Sequence, residues 1–522
     1  MRTERIKIYL VVVGSILFNW LFWNEKMGIN TAIYDLFLLA FLFYLYPDAR
    51  HSSTVRWLLA GHLICLAMII VHNTLLSKFG FWITLLLLVA FVQYVHRSLW
   101  FATGSIFQNI IFAVPGFVDA MGKRKTKKVS NRKFSRLLRV AFFPLFLLIL
   151  FFIIYSSANS VFSSMSSRLL TRIENFFGNF FDFFSWYRLL FFLLGLFITT
   201  FLLLRSKLNY FSEKEKSYSN ELLRVRKSSV QNAKDFLHDL ITGFLGKFAN
   251  GMMALKNMNT IGFISLLLLN VLLIIVNSID ISYIWFGFNA KEVNLYEIIH
   301  EGTELLIVSI VMAMMVLLIF FKGNLNFYQK NKWIKRAAYL WIIQNMILVI
   351  SVFLRDYHYI NQTGLAYKRI GVLFYLVLVL IGLVTVFWKI FKRKSTYYLM
   401  RVNAWAVIIL LVLSSTVNWD EQIANYNLNH QNEIVMPVDF MVTLSGKALP
   451  LLDNHKEDLK KHQSIIKEKG QWKYNCDDCF LEILEGNINQ YREDNKNYSW
   501  LSWNRADAFI SNYFNTKNNN SK

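Results

Sequence analysis

Apolar blocks recur along this chain at a length that fits little besides a membrane. Each runs about 17–22 residues, the length over which a helix rising 1.5 Å per residue crosses a hydrocarbon core of about 30 Å. Eleven blocks fit, near residues 8–23, 30–46, 57–76, 80–95, 140–156, 187–204, 260–277, 304–321, 337–354, 370–388 and 402–417. Only 17% of the residues are charged, against roughly 25% in a soluble domain. The expected fold is all-α: a polytopic transmembrane helix bundle of about 11 spans over residues 1–417, with a small, mainly helical C-terminal extramembrane domain. The first block follows Arg2, Arg5 and Lys7 as a signal peptide would, but Asn24-Glu25-Lys26 offers no small-x-small cleavage site and a second block follows at once, so it reads as a retained span.

The distribution of charge orients the chain. The formal net charge of +23 invites a nucleic-acid reading, but no reading module is visible. The basic residues instead lie between the blocks. With residues 1–7, 47–56, 96–139, 205–259, 322–336 and 389–401 inside, those segments hold 35 Lys and Arg, and the outer loops hold nine. Positive residues favour the cytoplasmic face. The N-terminus is therefore expected in the cytoplasm of a bacterial inner membrane, and an odd number of spans puts the tail in the periplasm. The tail, 418–514, carries 15 Asp and Glu and no long apolar run; its end, 515–522, is polar enough to be disordered.

Two regions strain the count. Residues 99–121 are apolar but contain Gly104, Gln108, Asn109, Pro115 and Gly116, and they lie between basic stretches. A re-entrant or interfacial segment reconciles these facts. Residues 160–185 mix seven phenylalanines with Arg168, Arg172, Glu174 and Asp182, the composition of a helix lying on the outer interface. The segment 205–259 is read as cytoplasmic. Lys123 to Arg139 holds nine basic residues; they fix topology, and they would also attract anionic lipid headgroups.

Candidate site residues are few. Glu297, His300, Glu301 and Glu304 share one helical face at the outer mouth of the eighth span. They complement a helix N-terminus, or they form a polar or cation site. Asp35 lies inside the second span, His62 and His72 inside the third, Asn270 inside the seventh, Gln344 and Asn345 inside the ninth, and Arg355 with Asp356 closes the ninth. Polar groups in lipid face a cavity or a partner helix. Cys476 and Cys479 suit a local disulfide in an oxidising compartment, or are an incidental pair. They make half a zinc site at most. No phosphate loop, nucleophile elbow or zinc-protease motif occurs, so no catalytic residue, metal ligand or cofactor is assigned. The partner expected is the lipid bilayer, and nucleic acid is not.

One stretch resembles a known family. Its pieces are Leu269-Asn270, Ile279-Asp280, Tyr283 to Gly287, His300-Glu301-Gly302, Tyr339 to Asn345, Arg355, Tyr359-Ile360, Gly364-Leu365, Lys368-Arg369, Ala424 to Leu428, and Leu444-Ser445 with Leu449-Pro450. Together these resemble the bacterial membrane family called domain of unknown function 4173, frequent in Bacteroidetes. The resemblance implies a polytopic membrane protein and no particular reaction. From the residues themselves, three functions remain in view. One is an envelope-associated sensor, scaffold or partner-binding protein. The others are a transporter or ion-coupled permease, and a membrane lipid-modifying enzyme.

Overall fold

The computed structural model describes residues 2–122, 186–223, 254–286, 295–321, 324–434, 437–460 and 479–520, with short pieces between 148 and 171. Among the described residues there is no β-strand, and one isolated antiparallel bridge joins Glu221 to Lys394. Seven of the described helices are long and apolar enough to cross a membrane, and four more are apolar but slightly shorter. The protein is an all-α membrane helix bundle. Ten of the eleven apolar blocks fall on these helices; block 140–156 lies largely outside the described residues, as do 123–139, most of 160–185 and 224–253. The chain divides into two compact units.

The first unit comprises Met1–Glu215 with Asn495–Ala508. Its helices are α1 (Arg2–Phe22), α2 (Ile29–Leu45), α3 (Ser53–Val71), α4 (Leu75–Gln93), α5 (Leu99–Gly122), α6 (Trp186–Leu203) and the short α7 (Tyr210–Lys216), which ends at the unit's boundary. Helical periodicity decides which face turns inward. Thr31, Tyr34, Asp35, Leu38 and Leu42 form the buried stripe of α2, and Val55, Leu58, His62, Cys65 and Ile69 that of α3. The second half of α4 is buried nearly all round, so it lies at the unit's centre. Thr74 caps α4 by accepting from Ser77 N at 3.2 Å.

The turn between α1 and α2 is built around Asn30, which accepts from Gly28 N and Thr31 N and donates to Leu21 O and Lys26 O. The tail returns to this turn. Trp503 O accepts from Ile29 N at 3.1 Å, Ser502 Oγ accepts from Lys26 N at 2.8 Å, and the Glu25 carboxylate accepts from Ser499 N. Gly28 is required by the close approach: a Cβ there would lie 2.6 Å from the backbone of Ser502.

Helix α5 is continuous across the segment expected to be re-entrant or interfacial, with Pro115 inside it. Its polar side chains meet the ends of other helices. Ser105 bonds to His96, and Asn109 bonds to Gln93 at the last residue of α4 and to Ser206 just beyond α6.

The second unit comprises Lys216–Asp494 with Phe509–Lys522. It contains α8 (Ala254–Asp280), α9 (Leu295–Phe320), α10 (Lys332–Thr363), α11 (Tyr367–Lys392) and α12 (Thr396–Ser415), then the tail helices α13 (Trp419–Asn429), α14 (Val438–Met441), α15 (Leu449–Asn454), α16 (Cys479–Lys496) and α17 (Arg505–Asn520). A single core of Leu266, Ile310, Trp341, Val349, Leu383 and their neighbours fills the space among α8 to α11. Residues 219–222 of the expected cytoplasmic segment strap the turn between α11 and α12, with Ser395 N donating to Asn220 O at 2.8 Å.

The tail expected over 418–514 is mainly helical, and its core includes Ile370 from α11. Asn427 clasps the α10–α11 turn, accepting from Leu365 N at 2.6 Å and donating to Leu365 O at 3.0 Å, beside Gly364 at φ 81°. Residues 495–508 group with the first unit. The expected disordered end is helical to Asn520, because Ile510 and Phe514 are buried in the tail core and carry the helix through the polar sequence that follows.

Candidate functional site

Buried ionisable groups in membrane helices are expensive, so their partners are the first place to look for function. In the first unit, Asp35, His62 and Thr84 project from the inward stripes of α2, α3 and α4. Asp35 and His62 are wholly buried. His62 Nε2 lies 3.0 Å from Asp35 Oδ1, and His62 Nδ1 lies 3.0 Å from Thr84 Oγ1. Thr84 also donates to Gly80 O at 2.7 Å, which leaves its oxygen to accept from the imidazole. Nδ1–H then faces Thr84. In the neutral ring Nε2 would meet the acid as an acceptor, and in the charged ring as a donor. The Phe81 ring lies tilted against the imidazole, its centroid 5.0 Å away, and Asp35 Oδ2 has no hydrogen-bond partner.

A second cluster in the same unit escaped the sequence reading. His96 Nδ1 lies 2.8 Å from Glu215 Oε2, and His96 Nε2 lies 2.8 Å from Ser105 Oγ. That order of groups is the order of a serine hydrolase relay. Here, however, Ser105 is buried on the second turn of α5, and Glu215 is also held by Arg97 N. The cluster joins the α4–α5 turn, α5 and α7. No signal in the sequence links residues 119 positions apart, so only the fold could find it.

The second unit brings together Gln344, Arg355 and three residues of α8. Leu266, Asn270, Leu273, Asn277 and Asp280 are the buried positions of α8, and their alternating spacing of four and three is that of a heptad seam. Asn270 donates to Ala337 O and Asn277 to Gln344 O, each at 3.1 Å, and both donors and both acceptors are seven residues apart. Gln344 returns a bond to Asn270 Oδ1 at 2.6 Å. The seam closes with the Asp280–Arg355 ion pair at 2.5 Å, next to a π-helical turn at Ile281–Trp285 whose Trp285 donates to Ser351. Asn345 turns away and bonds within its own helix to Trp341 O. Asn277 Oδ1, Asp280 Oδ2, Trp341 Nε1, Gln344 Oε1 and Arg355 Nε are buried on this seam without partners.

Glu297, His300, Glu301 and Glu304 lie on the first turns of α9, and their side chains are outside the described residues. Cys476 is also outside them, and Cys479 begins α16 with its side chain undescribed. Asp35 belongs to the first unit, while Gln344, Asn345 and Arg355 belong to the second. Among the described residues no group of three or more His, Cys, Asp and Glu has metal-binding geometry.

The profile of a family described as domain of unknown function DUF4153 matches residues 36–455, which includes both the α8–α10 seam and the Asn427 clasp. The chain belongs to that family. The family named from the sequence motifs, 4173, is not the one found. Those motifs are short polar interruptions of apolar helices, and such residues are selected by helix-to-helix bonding in lipid, a demand that membrane bundles share. No curated protein and no solved structure matches the chain. The matched stretch begins inside α2, so α1 and the 495–503 clasp lie outside it.

Proposed function

We propose that this membrane protein is a non-catalytic, envelope-associated scaffold or sensor that holds its extramembrane segments to a rigid helical base. The observation that carries the reading is how its intramembrane polar groups are used. Asp35 is taken by His62, Gln344 by Asn270 and Arg355 by Asp280, and each bond ties one helix to another instead of lining a path. Two described clefts, bounded by residues 36–63 and 23–194, are lined mainly by apolar side chains and by none of these groups.

The same reading places the protein in the inner membrane with its N-terminus in the cytoplasm and its tail in the periplasm. Two contacts support this orientation. The 499–503 segment is bonded to the α1–α2 turn, which lies one crossing away from the N-terminus. Asn109 of α5 stays level with the ends of α4 and α6. The 13 residues beyond it rise only about 20 Å, short of a hydrocarbon core of about 30 Å. On this reading α5, although long and apolar enough to cross, stays at the inner surface and leaves the span count odd.

A transporter or ion-coupled permease is the second reading, favoured by the unpartnered carboxylate oxygens of Asp35 and Asp280. A lipid-modifying enzyme would rest on His300 and Glu301. Proton flux through purified protein in liposomes separates the first two readings. The scaffold reading expects no flux above empty liposomes. Flux that Asp35→Asn abolishes in a protein that still folds would overturn it.

A further inference from the structure

The cleft between α2 and α3 has a chemistry that the scaffold reading does not use. Leu36, Leu39, Ala40 and Phe43 of α2 face Val55, Leu59 and Leu63 of α3 across a volume of about 510 Å³, within the range of about 300–1,000 Å³ typical of sites for small ligands. Two further residues line it, Arg50 and Arg56. Both stand at one end, Arg50 in the turn Pro47–His51 after α2 and Arg56 on the first turn of α3. The apolar wall runs inward from them: Leu63 is seven residues beyond Arg56, a rise of about 10 Å.

Both guanidinium groups are exposed and neither pairs with an acidic side chain among the described residues; Arg50 donates one bond to Phe43 O at 3.3 Å. Asp48 and His51 share the turn, and Asp48 forms no ion pair with either arginine. Trp57, next to Arg56, is 75% exposed, and Tyr44 is 60% exposed, as aromatic side chains at headgroup depth are. An apolar trough along two membrane helices, ending at two arginines that have no acidic partner among the described residues although Arg50 also lies over the Phe43 ring, is complementary to one kind of molecule. That molecule has a chain for the trough and an anionic phosphodiester for the guanidinium forks.

We infer that the α2–α3 cleft is a binding site for a single anionic phospholipid of the surrounding bilayer, with its phosphate held by Arg50 and Arg56 and an acyl chain against Leu36, Ala40, Leu59 and Leu63. The inference is independent of which leaflet the turn faces and of the function proposed above. It also differs from general attraction to a basic surface, because it needs both the charges and the trough.

Native mass spectrometry of the full chain, released from detergent with phosphatidylglycerol or phosphatidylcholine added, tests it. The expected result is one bound phosphatidylglycerol, held about tenfold more tightly than phosphatidylcholine. In R50Q/R56Q the two lipids should bind equally. In Ala40→Phe, which fills the trough at an exposed position, both should bind more weakly. Inorganic phosphate should not displace the lipid. Equal binding of the two lipids to the wild-type chain would overturn the inference. A preference that survives R50Q/R56Q, or displacement by phosphate alone, would do the same. All three substitutions are at exposed positions, and circular dichroism of each variant shows whether the helices are retained.

Discussion

The Asp35–His62 pair makes a specific prediction about mutations. His62→Leu leaves a carboxylate buried without its partner, which costs roughly 3–5 kcal/mol. Replacing both residues with leucine removes both buried polar groups, so Asp35→Leu/His62→Leu should be more stable than His62→Leu alone; thermal unfolding in detergent measures the coupling. Asn270→Ala should cost about 1–2 kcal/mol by the same assay, since it removes a bond between helices and leaves Gln344 Nε2 unpaired. Asp35, His62, Asn270, Gln344, Asn345 and Arg355 were legible in the sequence because a polar residue in an apolar block stands out. Which of them pair was not. Asp280 was visible only as a piece of a motif, and adjacent Gln344 and Asn345 look alike in sequence although one bridges helices and the other bonds to its own. Helix rotation decides which does which, and a string of uniformly apolar neighbours does not encode it.

Helices emerged more clearly from the sequence than the way the tail is used. Apolar length located the spans because lipid leaves the backbone no other way to satisfy its hydrogen bonds. The tail offers no such constraint, and its polar composition concealed Ile510 and Phe514, which hold α17, and Trp503, whose carbonyl meets the first turn. Gly28→Ala should loosen that contact, since the new Cβ cannot be placed without moving the Ser502 backbone. Limited proteolysis should then cut near residues 495–505 faster than in the wild-type chain. Within the tail, Tyr513 donates to Asp453 Oδ2 at 2.8 Å. Burial first, and then the Asp453 carboxylate, raise its pKa above the ordinary value near 10. A raised folded-state pKa contributes stability that is complete below the unfolded value and is lost as pH climbs past it. The tail should therefore be weakened at strongly alkaline pH, and Tyr513→Phe should remove that dependence in alkaline unfolding curves.

For the whole molecule, the testable quantity is the side on which each segment lies. Glu485 is exposed on α16. In a chain whose native cysteines are changed to alanine, a cysteine at this position should react with a membrane-impermeant maleimide in cells with a permeabilised outer membrane and an intact inner one. Labelling only after lysis would put the tail inside and contradict the odd span count. The charge asymmetry that suggests this orientation was plain in the sequence. The contact that supports it was not, because it joins residues 474 to 477 positions apart.

That separation has a consequence for how the protein is made. Membrane helices enter the bilayer in order as the chain is synthesised, and N-terminal portions generally begin to fold first. The first unit, however, borrows residues 495–508. Until those residues have left the ribosome, Gly28 and the backbone N–H groups of Lys26 and Ile29 wait without their partners. The earliest part of the chain to be inserted is thus among the last to be finished, and a truncated chain would advertise its incompleteness at a turn near its own beginning.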